Sequence, residues 1–109
     1  MTIKELAEKL RLNPLNTLAD RTVTGVYISD MVSDVIANAK PGNVLVTVQV
    51  HNNVIAAANL VDVSGIILTR GRTPADDMIA LAEKAGIPVL VTDLNSWQVA
   101  SMLFEAGLR

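Results

Sequence analysis

The sequence contains no cysteine, very few aromatic residues and no run of like charge. Without cysteine, disulfides, thiolate metal sites and a cysteine nucleophile are all excluded. The aromatic residues are Tyr27, Trp97 and Phe104, too few for the stacking platforms that bind single-stranded nucleic acid. Nine basic and eleven acidic residues are scattered along the chain, so the basic patch of a nucleic-acid-binding protein is missing. We therefore do not expect the protein to bind nucleic acid.

Several other familiar signals are absent. No apolar stretch approaches the length of a membrane span, and the first residues, MTIKELAEKLRL, are charged and amphipathic rather than typical of a signal peptide. These features predict a cytoplasmic protein without a membrane association. Neither G-x-x-x-x-G-K-[ST] nor a G-x-G-x-x-G after a strand occurs, and no G-x-S-x-G marks a nucleophile elbow. The sequence therefore predicts no cofactor.

Apolar residues, by contrast, are abundant. They make up 50% of the 109 residues, while charged residues reach only 18%, below the usual quarter or so. A chain of this length forms one domain, here taken as residues 1–109, and a small domain has a high ratio of surface to volume. Self-association, with a homodimer as the expected form, or docking to a partner enzyme would cover the excess. The alternative is that alanine, which tolerates exposure, inflates the count.

Segments with helical and strand patterns alternate along the chain. Apolar residues at helical spacing predict helices over 2–11, 30–39, 54–61 and 73–85, and from 95 or 96 to a stop at 107. β-Branched and apolar runs predict strands over 23–28, 44–50, 65–69 and 88–92. This alternation predicts a single α/β domain with a mostly parallel sheet of about four strands and helices on both faces.

Polar residues mark the expected helix starts. Thr2 and Glu5 have the spacing of a capping box. Asp30 is a natural N-cap for the second helix, and Asn52 or Asn53 could cap the third. These residues therefore predict where three of the helices begin.

The third, fourth and fifth helices carry further expectations. Helix 54–61 is apolar nearly all round, which indicates that it is buried or lies at an interface. Thr73 is the expected N-cap of the fourth helix, with Pro74 at its first position. In the last helix the spacing predicts four inward side chains: Trp97, Ala100, Leu103 and Phe104.

The candidate site follows from the fold, because ligands of parallel α/β sheets bind at the carboxyl ends of the strands. The polar residues expected there are Asp30, His51, Asn52, Asn53, Thr69, Arg70, Gly71, Arg72, Thr92 and Asp93. The loop at Gly71 is the strongest candidate, since a helix start offers free N–H groups to an anion and Arg70 or Arg72 could clamp phosphate or carboxylate. The alternative is an ordinary surface loop with solvated arginines.

His51 is the only histidine in the chain. A lone histidine without a second histidine or a cysteine makes a poor metal site, so no metal is predicted. As a general base it would need to lie within hydrogen-bond reach of Ser29, Asp30, Thr69 or Asp93. A hydrogen-bonded loop histidine is the simpler interpretation, and no catalytic residue is assigned.

Several segments resemble the short stand-alone proteins of the DRTGG-domain family. The segments that carry the resemblance are DRTVTGVYISD at 20–30, Ser33-Asp34-Val35, Ala37-Asn38-Ala39-Lys40, His51-x-Asn53, Gly71-Arg72-x-Pro74, and Ile87-Pro88-x-Leu90-x-Thr92-Asp93-Leu94. The family is similar to the N-terminal domain of HPr kinase, which implies that fold for this chain. Its members accompany phosphate acetyltransferase domains and CBS-containing pyrophosphatases, which implies a regulatory or dimer-forming module.

The chain departs from the family pattern at both of its motifs. Where the family has Gly-Asp-Arg this chain has His51-Asn52-Asn53, and where it has Thr-Gly-Gly this chain has Thr69-Arg70-Gly71. The leading hypothesis is therefore a non-catalytic regulatory or oligomerisation module that senses a small anion, of nucleotide or phosphate type, at the strand ends. A pure docking module in a metabolic or redox assembly is the alternative, and an enzyme that uses His51 is the third.

Overall fold

The computed structural model describes all 109 residues, which form five helices and five strands. No helix is long and apolar enough to span a bilayer. The elements in chain order are α1 (Ile3–Leu10), β1 (Asn13–Pro14), β2 (Gly25–Ile28), α2 (Val32–Asn38), β3 (Asn43–Thr47), α3 (Asn52–Val61), β4 (Gly65–Leu68), α4 (Asp76–Ala85), β5 (Val89–Val91) and α5 (Ser96–Glu105).

The strands form one sheet in the order β1-β5-β4-β3-β2. β2 to β5 are parallel, and β1 pairs antiparallel with β5 through Asn13 and Val91. The predicted α/β fold with a mostly parallel sheet is confirmed. The count of about four strands misses β1, because an Asn-Pro pair shows no strand periodicity. Proline is tolerated here because β1 is an edge strand, where one side of the backbone needs no hydrogen bonds.

Helices cover both faces of the sheet, as predicted. α1 and α5 pack on one face over Val44 and Val46, whereas α2, α3 and α4 pack on the other face over Leu45. Successive residues of a strand point to opposite faces, so a strand buried on both sides is apolar throughout. This explains the uninterrupted apolar run of β3.

The direction of the connections determines where loops gather. β2, β3, β4 and β5 follow one another across the sheet, so α2, α3 and α4 all lie on one face. After β5 the chain crosses to the opposite face to form α5. The loops that follow β4 and β5 therefore leave the sheet toward opposite faces, the arrangement that opens a crevice in α/β folds.

α2 does not begin at Asp30. The Asp30 carboxylate accepts hydrogen bonds from the Thr47 hydroxyl at 3.0 Å and from the Val48 N–H at 2.9 Å. Met31 takes the N-cap position and makes no side-chain cap bond. The prediction that Asp30 caps α2 is wrong, because its oxygens hold the end of the neighbouring strand instead.

The expected caps of α3 and α4 are also wrong. His51 occupies the N-cap of α3 without a side-chain bond, so that Asn52 and Asn53 lie inside the helix. The N-cap of α4 is Ala75, and Thr73 lies in the extended approach to it. The approach is longer than predicted because the preceding turn is held to the loop after β5, as described below. The capping box of α1, with Thr2 and Glu5, is confirmed.

α5 turns a different face inward from the one predicted. Val99 and Leu103 are buried, whereas Trp97 is 77% exposed and Phe104 is 59% exposed. The inward assignment of the two aromatic residues is therefore wrong. Helical spacing alone is compatible with either face of α5 turned toward the sheet, so it does not distinguish the aromatic face from the face of Val99 and Leu103. α3 buries one face but leaves Leu60 at 71% exposure, so the expected burial of this helix applies to one face only.

Candidate ligand-binding site

The carboxyl edge of the sheet gathers the predicted site residues but distributes them over separate places. The loop after β4 lies between the loops after β3 and β5, because β4 lies between those strands. His51 belongs to a cleft on the side of β3, and Thr92 to another on the side of β5. The loop after β4 thus stands between two clefts.

Backbone hydrogen bonds join the loop after β4 to the loop after β5. Arg70 and Gly71 both adopt positive φ, at 63° and 64°. The Arg70 N–H donates to the Leu94 carbonyl at 2.9 Å, and the Gly71 N–H donates to the Thr92 carbonyl at 2.8 Å. A Cβ on Gly71 would lie 2.6 Å from Oδ1 of Asp93. These two N–H groups therefore donate to carbonyls of the protein and are not available to bind an anion.

The N-terminus of α4 already carries negative charge. Asp76 and Asp77 lie in the first turn, and Oδ1 of Asp77 accepts the N–H of Met78 at 3.0 Å. Carboxylates at a helix start satisfy its positive end, so a bound anion would meet repulsion there. An anion at this loop would therefore have to be held by the side chains of Arg70 and Arg72. Both are exposed, and neither makes a hydrogen bond or an ion pair.

The first cleft, which we call the His51 cleft, lies beside the start of α3. It has a volume of about 380 Å³, within the range of small-ligand sites. The Asn52 amide donates to Oδ2 of Asp77 at 3.2 Å across it. Amides, an imidazole and a carboxylate offer both donors and acceptors to a ligand. Its lining residues are Val50, His51, Asn52, Asn53, Ala75 and Asp77.

The second cleft, which we call the Arg11 cleft, lies between the end of β5 and the end of α1. It has a volume of about 430 Å³. Arg11 and Asn13 meet the predicted residues Thr92 and Asp93 there. Sequence reasoning missed Arg11, Asn13 and Asp77, because they belong to elements distant in the chain and carry no local motif.

Thr69 is enclosed by protein at the end of β4. Its side chain is fully buried, and its hydroxyl has no hydrogen-bond partner. No cleft opens onto it. Thr69 therefore supports the edge from within, while Asp30 is engaged by Thr47 and Val48.

His51 lies in its cleft without the hydrogen-bond partners that were considered for a catalytic role. Its imidazole makes no hydrogen bond to Ser29, Asp30, Thr69 or Asp93, and none of these residues lines its cleft. The geometry that a general base would need at this edge is therefore not assembled around His51.

A polar cluster ties α2 to the edge strand β2. The Tyr27 hydroxyl lies 2.9 and 2.8 Å from the two carboxylate oxygens of Asp34, and the Asn38 amide donates to Oδ1 of Asp34 at 2.8 Å. Hydrogen bonds from Ser29, Tyr27 and Asn38 lower the pKa of Asp34. The bond to Asp34 raises the pKa of Tyr27. The cluster therefore holds Asp34 ionised and Tyr27 protonated.

Taken together, the sheet and its edge define a small α/β domain with ligand-sized clefts at the carboxyl ends of its parallel strands. The chain belongs to the DRTGG domain family, which its sequence matches over residues 3–106. This confirms the resemblance seen in the sequence. No curated protein matches the chain.

The fold is shared with a solved regulatory protein. The chain is similar to the CBS and DRTGG domains of the regulatory region of Clostridium perfringens pyrophosphatase, a structure in complex with the activator diadenosine tetraphosphate. The TM-score is 0.72 at 18% identity, and the match covers 94% of this chain and 45% of that one. The chain thus spans less than half of that region, and at this identity the likeness establishes the fold.

Proposed function

We propose that the protein is a non-catalytic regulatory module of the cytoplasm that self-associates and binds a nucleotide-type ligand at the carboxyl edge of its sheet. The nucleoside would lie in the His51 cleft and the phosphates against Arg70 and Arg72. The observation that carries the proposal is the His51 cleft itself, a shallow, open depression of about 380 Å³ in which four of the six lining residues have hydrogen-bonding side chains.

The chemistry of the cleft suits a nucleoside. In dinucleotide-binding α/β folds an acidic side chain binds the ribose hydroxyls, and Asp77 is the carboxylate that lines this cleft. An asparagine amide matches the paired donor and acceptor on the edge of adenine. Asn53 is exposed and makes no hydrogen bond, so its amide is free for such a contact.

The phosphates are assigned to the arginines because of their position and their conformation. Arg70 and Arg72 follow β4, the neighbour of the strand that leads into the cleft. Arg70 holds φ at 63°, where a residue with a Cβ is strained by about 1 kcal/mol or more. The pattern of the family places glycine here. A free guanidinium on a strained loop residue supports a binding role for Arg70, whereas the positive φ of Arg11 is the ordinary conformation of a helix C-cap.

The similar pyrophosphatase region offers a choice of probe. That region, made of CBS and DRTGG domains, carries diadenosine tetraphosphate as its activator. An adenine nucleotide of this kind combines bases, riboses and a phosphate chain, the groups for which the His51 cleft and the two arginines are suited. It is therefore the first compound to test with this chain, together with ATP, AMP and inorganic phosphate.

The test is a thermal unfolding series with these four compounds. A ligand at one hundred times its Kd adds about 2.7 kcal/mol to the free energy of unfolding, which raises the Tm of a domain of this size by several degrees. We expect a nucleotide to raise the Tm, and Arg70→Gly to reduce this shift strongly. Arg11→Gly is the matched control, because Arg11 is also an exposed arginine at positive φ, 55°.

Each result has a clear meaning. If none of the compounds raises the Tm, the ligand-binding proposal fails. If Arg11→Gly removes the shift and Arg70→Gly leaves it unchanged, the ligand lies in the Arg11 cleft and our placement is wrong. Asn53→Ala should weaken adenine nucleotides but leave inorganic phosphate unchanged, which separates the base contact from the phosphate contact.

A pure docking module is the second candidate function. The observation that favours it is the exposure of Trp97 and Phe104 on one face of α5, since isolated domains rarely leave two large aromatic side chains of one helix face in solvent. Under this alternative no small ligand would raise the Tm, while a protein partner would protect Trp97 from solvent.

A further inference from the structure

α5 and the edge strand β2 together expose one continuous apolar surface. Ile28 is 43% exposed and lies on β2, where it lines a hollow together with Phe104 of α5. Two hollows of about 480 and 330 Å³ lie on either side of Phe104. Phe104 and Ala100 line both of them. We call this area the α5 surface, defined by Val26, Ile28, Trp97, Ala100, Ser101 and Phe104.

The shape of the α5 surface fits a second copy of itself. Trp97 and Phe104 project from one face of the helix, and Ala100 and Ser101 form a low floor between them. A two-fold interface requires projections and hollows on the same patch, because each copy must fill the other. An aromatic side chain of one copy can enter the hollow beside Phe104 of the other.

Charge on α5 favours an antiparallel pairing of the two helices. From Ser96 to Phe104 the helix contains no charged residue. The charges of this surface lie at its end, where Glu105 borders the hollow beside Trp97 and Arg109 lies 4.2 Å from the centre of the Phe104 ring. Glu105 lies at its carboxyl end. In an antiparallel pair each Glu105 would lie near the positive amino end of the other copy's helix, where a carboxylate is stabilised.

The neighbouring strand β2 adds an open sheet edge. β3 is its only neighbour, so its other side has no strand partner. The Ser29 N–H donates to the Val46 carbonyl, which assigns Ser29 and Tyr27 to the residues that bond to β3 in a parallel ladder. The backbone groups of Val26 and Ile28 therefore point outward, free to pair with another strand.

Pairing two such edges about a two-fold axis also brings the two helices together. With strands about 4.8 Å apart, the two β3 strands would lie roughly 14 Å from each other. α5 packs over β3, so the helices would lie at or within that distance. Aromatic side chains of the size of Trp97 and Phe104 can fill such a gap.

The two exposed aromatic side chains supply part of the area that a dimer needs. Aromatic side chains bury roughly 150–250 Å² each, so Trp97 and Phe104 at their exposures offer on the order of 300 Å² of apolar surface per copy. A specific interface buries about 800 Å² per partner, of which the edge strand and the flanks of α5 would supply the remainder.

We propose that a second copy of this chain covers the α5 surface, with α5 antiparallel to its counterpart and β2 adding to the edge of the other sheet. The proposal rests on the self-association included in the proposed function and names the surface that performs it.

The first test measures the mass of the full chain by sedimentation equilibrium. We expect twice the 11.6 kDa of one chain. Trp97→Ser and Phe104→Ser should each yield a folded monomer, since both side chains are exposed and contribute little to the core. Leu60→Ser is the matched control, because Leu60 is equally exposed on a helix of the opposite face and should leave the dimer intact.

The second test uses the absence of cysteine from the chain. Ser101→Cys places one thiol at the middle of the α5 surface, near the expected two-fold axis. Under mild oxidation it should form a disulfide-linked dimer, whereas Leu60→Cys should remain monomeric on a denaturing gel.

The outcomes distinguish failure of the proposed α5 interface from failure of the ligand-binding proposal. A wild-type monomer at high concentration would overturn both self-association and the α5 surface, and it would leave the ligand test unaffected. A dimer that persists in Trp97→Ser and Phe104→Ser and is cross-linked through Leu60→Cys would overturn this surface alone.

Discussion

Two threonines at the ends of neighbouring strands show how differently one residue type can be used. Thr47 donates to Asp30 at 3.0 Å and accepts the N–H of Gln49 at 3.2 Å. Thr69 is fully buried, and its hydroxyl has no partner. An unpartnered buried hydroxyl costs free energy, whereas a hydrogen-bonded one contributes to stability.

The two positions therefore respond oppositely to the same substitution. Thr69→Val should leave the free energy of unfolding unchanged or raise it by up to about 1–2 kcal/mol. Thr47→Val should lower it by about 1–2 kcal/mol, because Asp30 loses a donor. Urea unfolding of the two variants measures the difference, and a larger loss at Thr69 than at Thr47 would show that the Thr69 hydroxyl has a partner after all.

At the level of single residues, the sequence predicted correctly which side chains lie at the carboxyl edge. It did not predict the contacts that these side chains make there. Thr69, Asp30 and Gly71 follow strands, as predicted. Their polar groups are nevertheless engaged by, or enclosed in, parts of the chain that only folding brings near. His51 and Asn53 remain exposed, and α3 begins at Asn52, two residues earlier than its apolar pattern suggests.

The turn that leads into β3 depends on a glycine for two reasons. Gly42 has φ at 83°, and a Cβ there would lie 2.5 Å from Oγ1 and 2.9 Å from Cγ2 of Thr24. Gly86 ends α4 at φ 72° with no atom within 4 Å of such a Cβ. Both glycines adopt positive φ, but only at Gly42 would a Cβ collide with another side chain.

Alanine substitutions separate strain from crowding. Gly86→Ala should cost about 1 kcal/mol, from positive φ alone. Gly42→Ala should cost that amount and about 1–3 kcal/mol more, since the branched side chain of Thr24 cannot simply turn aside. Thermal unfolding of both variants checks this expectation, and equal losses would show that the turn adjusts without strain.

Carboxylates on α2 and α4 accept hydrogen bonds from other parts of the chain, and these bonds make the stability of the fold depend on pH. Hydrogen bonds from Ser29, Tyr27 and Asn38 lower the pKa of Asp34. The backbone N–H of Thr17, at 2.7 Å, lowers the pKa of Glu83 on α4. A carboxyl whose folded pKa is depressed stabilises the protein fully above its unfolded pKa, and this contribution is lost as pH falls through the folded value.

We therefore expect the Tm to fall as pH decreases from about 5 to about 2, and to fall less steeply in Asp34→Asn and in Tyr27→Phe. The buried packing around these residues is otherwise unchanged in both variants. Asp20→Asn serves as the control, because Asp20 is exposed and makes no hydrogen bond. An acid dependence identical in Asp34→Asn and the wild type would remove Asp34 from this account.

At the level of elements, the alternation of patterns identified all five helices and the four parallel strands. It missed β1, whose two residues gain their strand geometry only by pairing with β5. It also misplaced three helix starts, at α2, α3 and α4. At α2 and α4 the chain near the expected cap is bonded to a neighbouring strand or loop, an influence that local periodicity does not contain.

For the whole molecule, the apolar excess has a specific location. Ile3, Leu6 and the strands fill two buried clusters on either side of the sheet. The apolar residues left outside include the aromatic pair on α5. The composition predicted surplus apolar surface, and the structure concentrates a large part of it beside an open sheet edge.

Trp97 reports on that surface because it is the only tryptophan in the chain. If a second copy covers α5, the fluorescence emission of Trp97 should shift to longer wavelength on dilution, as the indole passes from an apolar contact to water. Phe104→Ser should show the long-wavelength emission at every concentration. A wild-type emission that stays constant while the sedimentation mass halves would contradict the placement of Trp97 in the interface.

The sequence by itself determined the class of fold, the burial of the parallel strands on both faces and the set of polar residues that reach the carboxyl edge. These features follow from periodicity and turn chemistry, which act over a few neighbouring residues. The tertiary structure alone decided that the β4 loop closes onto the β5 loop, that His51 and Asp77 share a cleft, and that α5 turns Trp97 outward. Each of these depends on contacts between segments far apart in the chain, whose relative positions are set only when the elements pack.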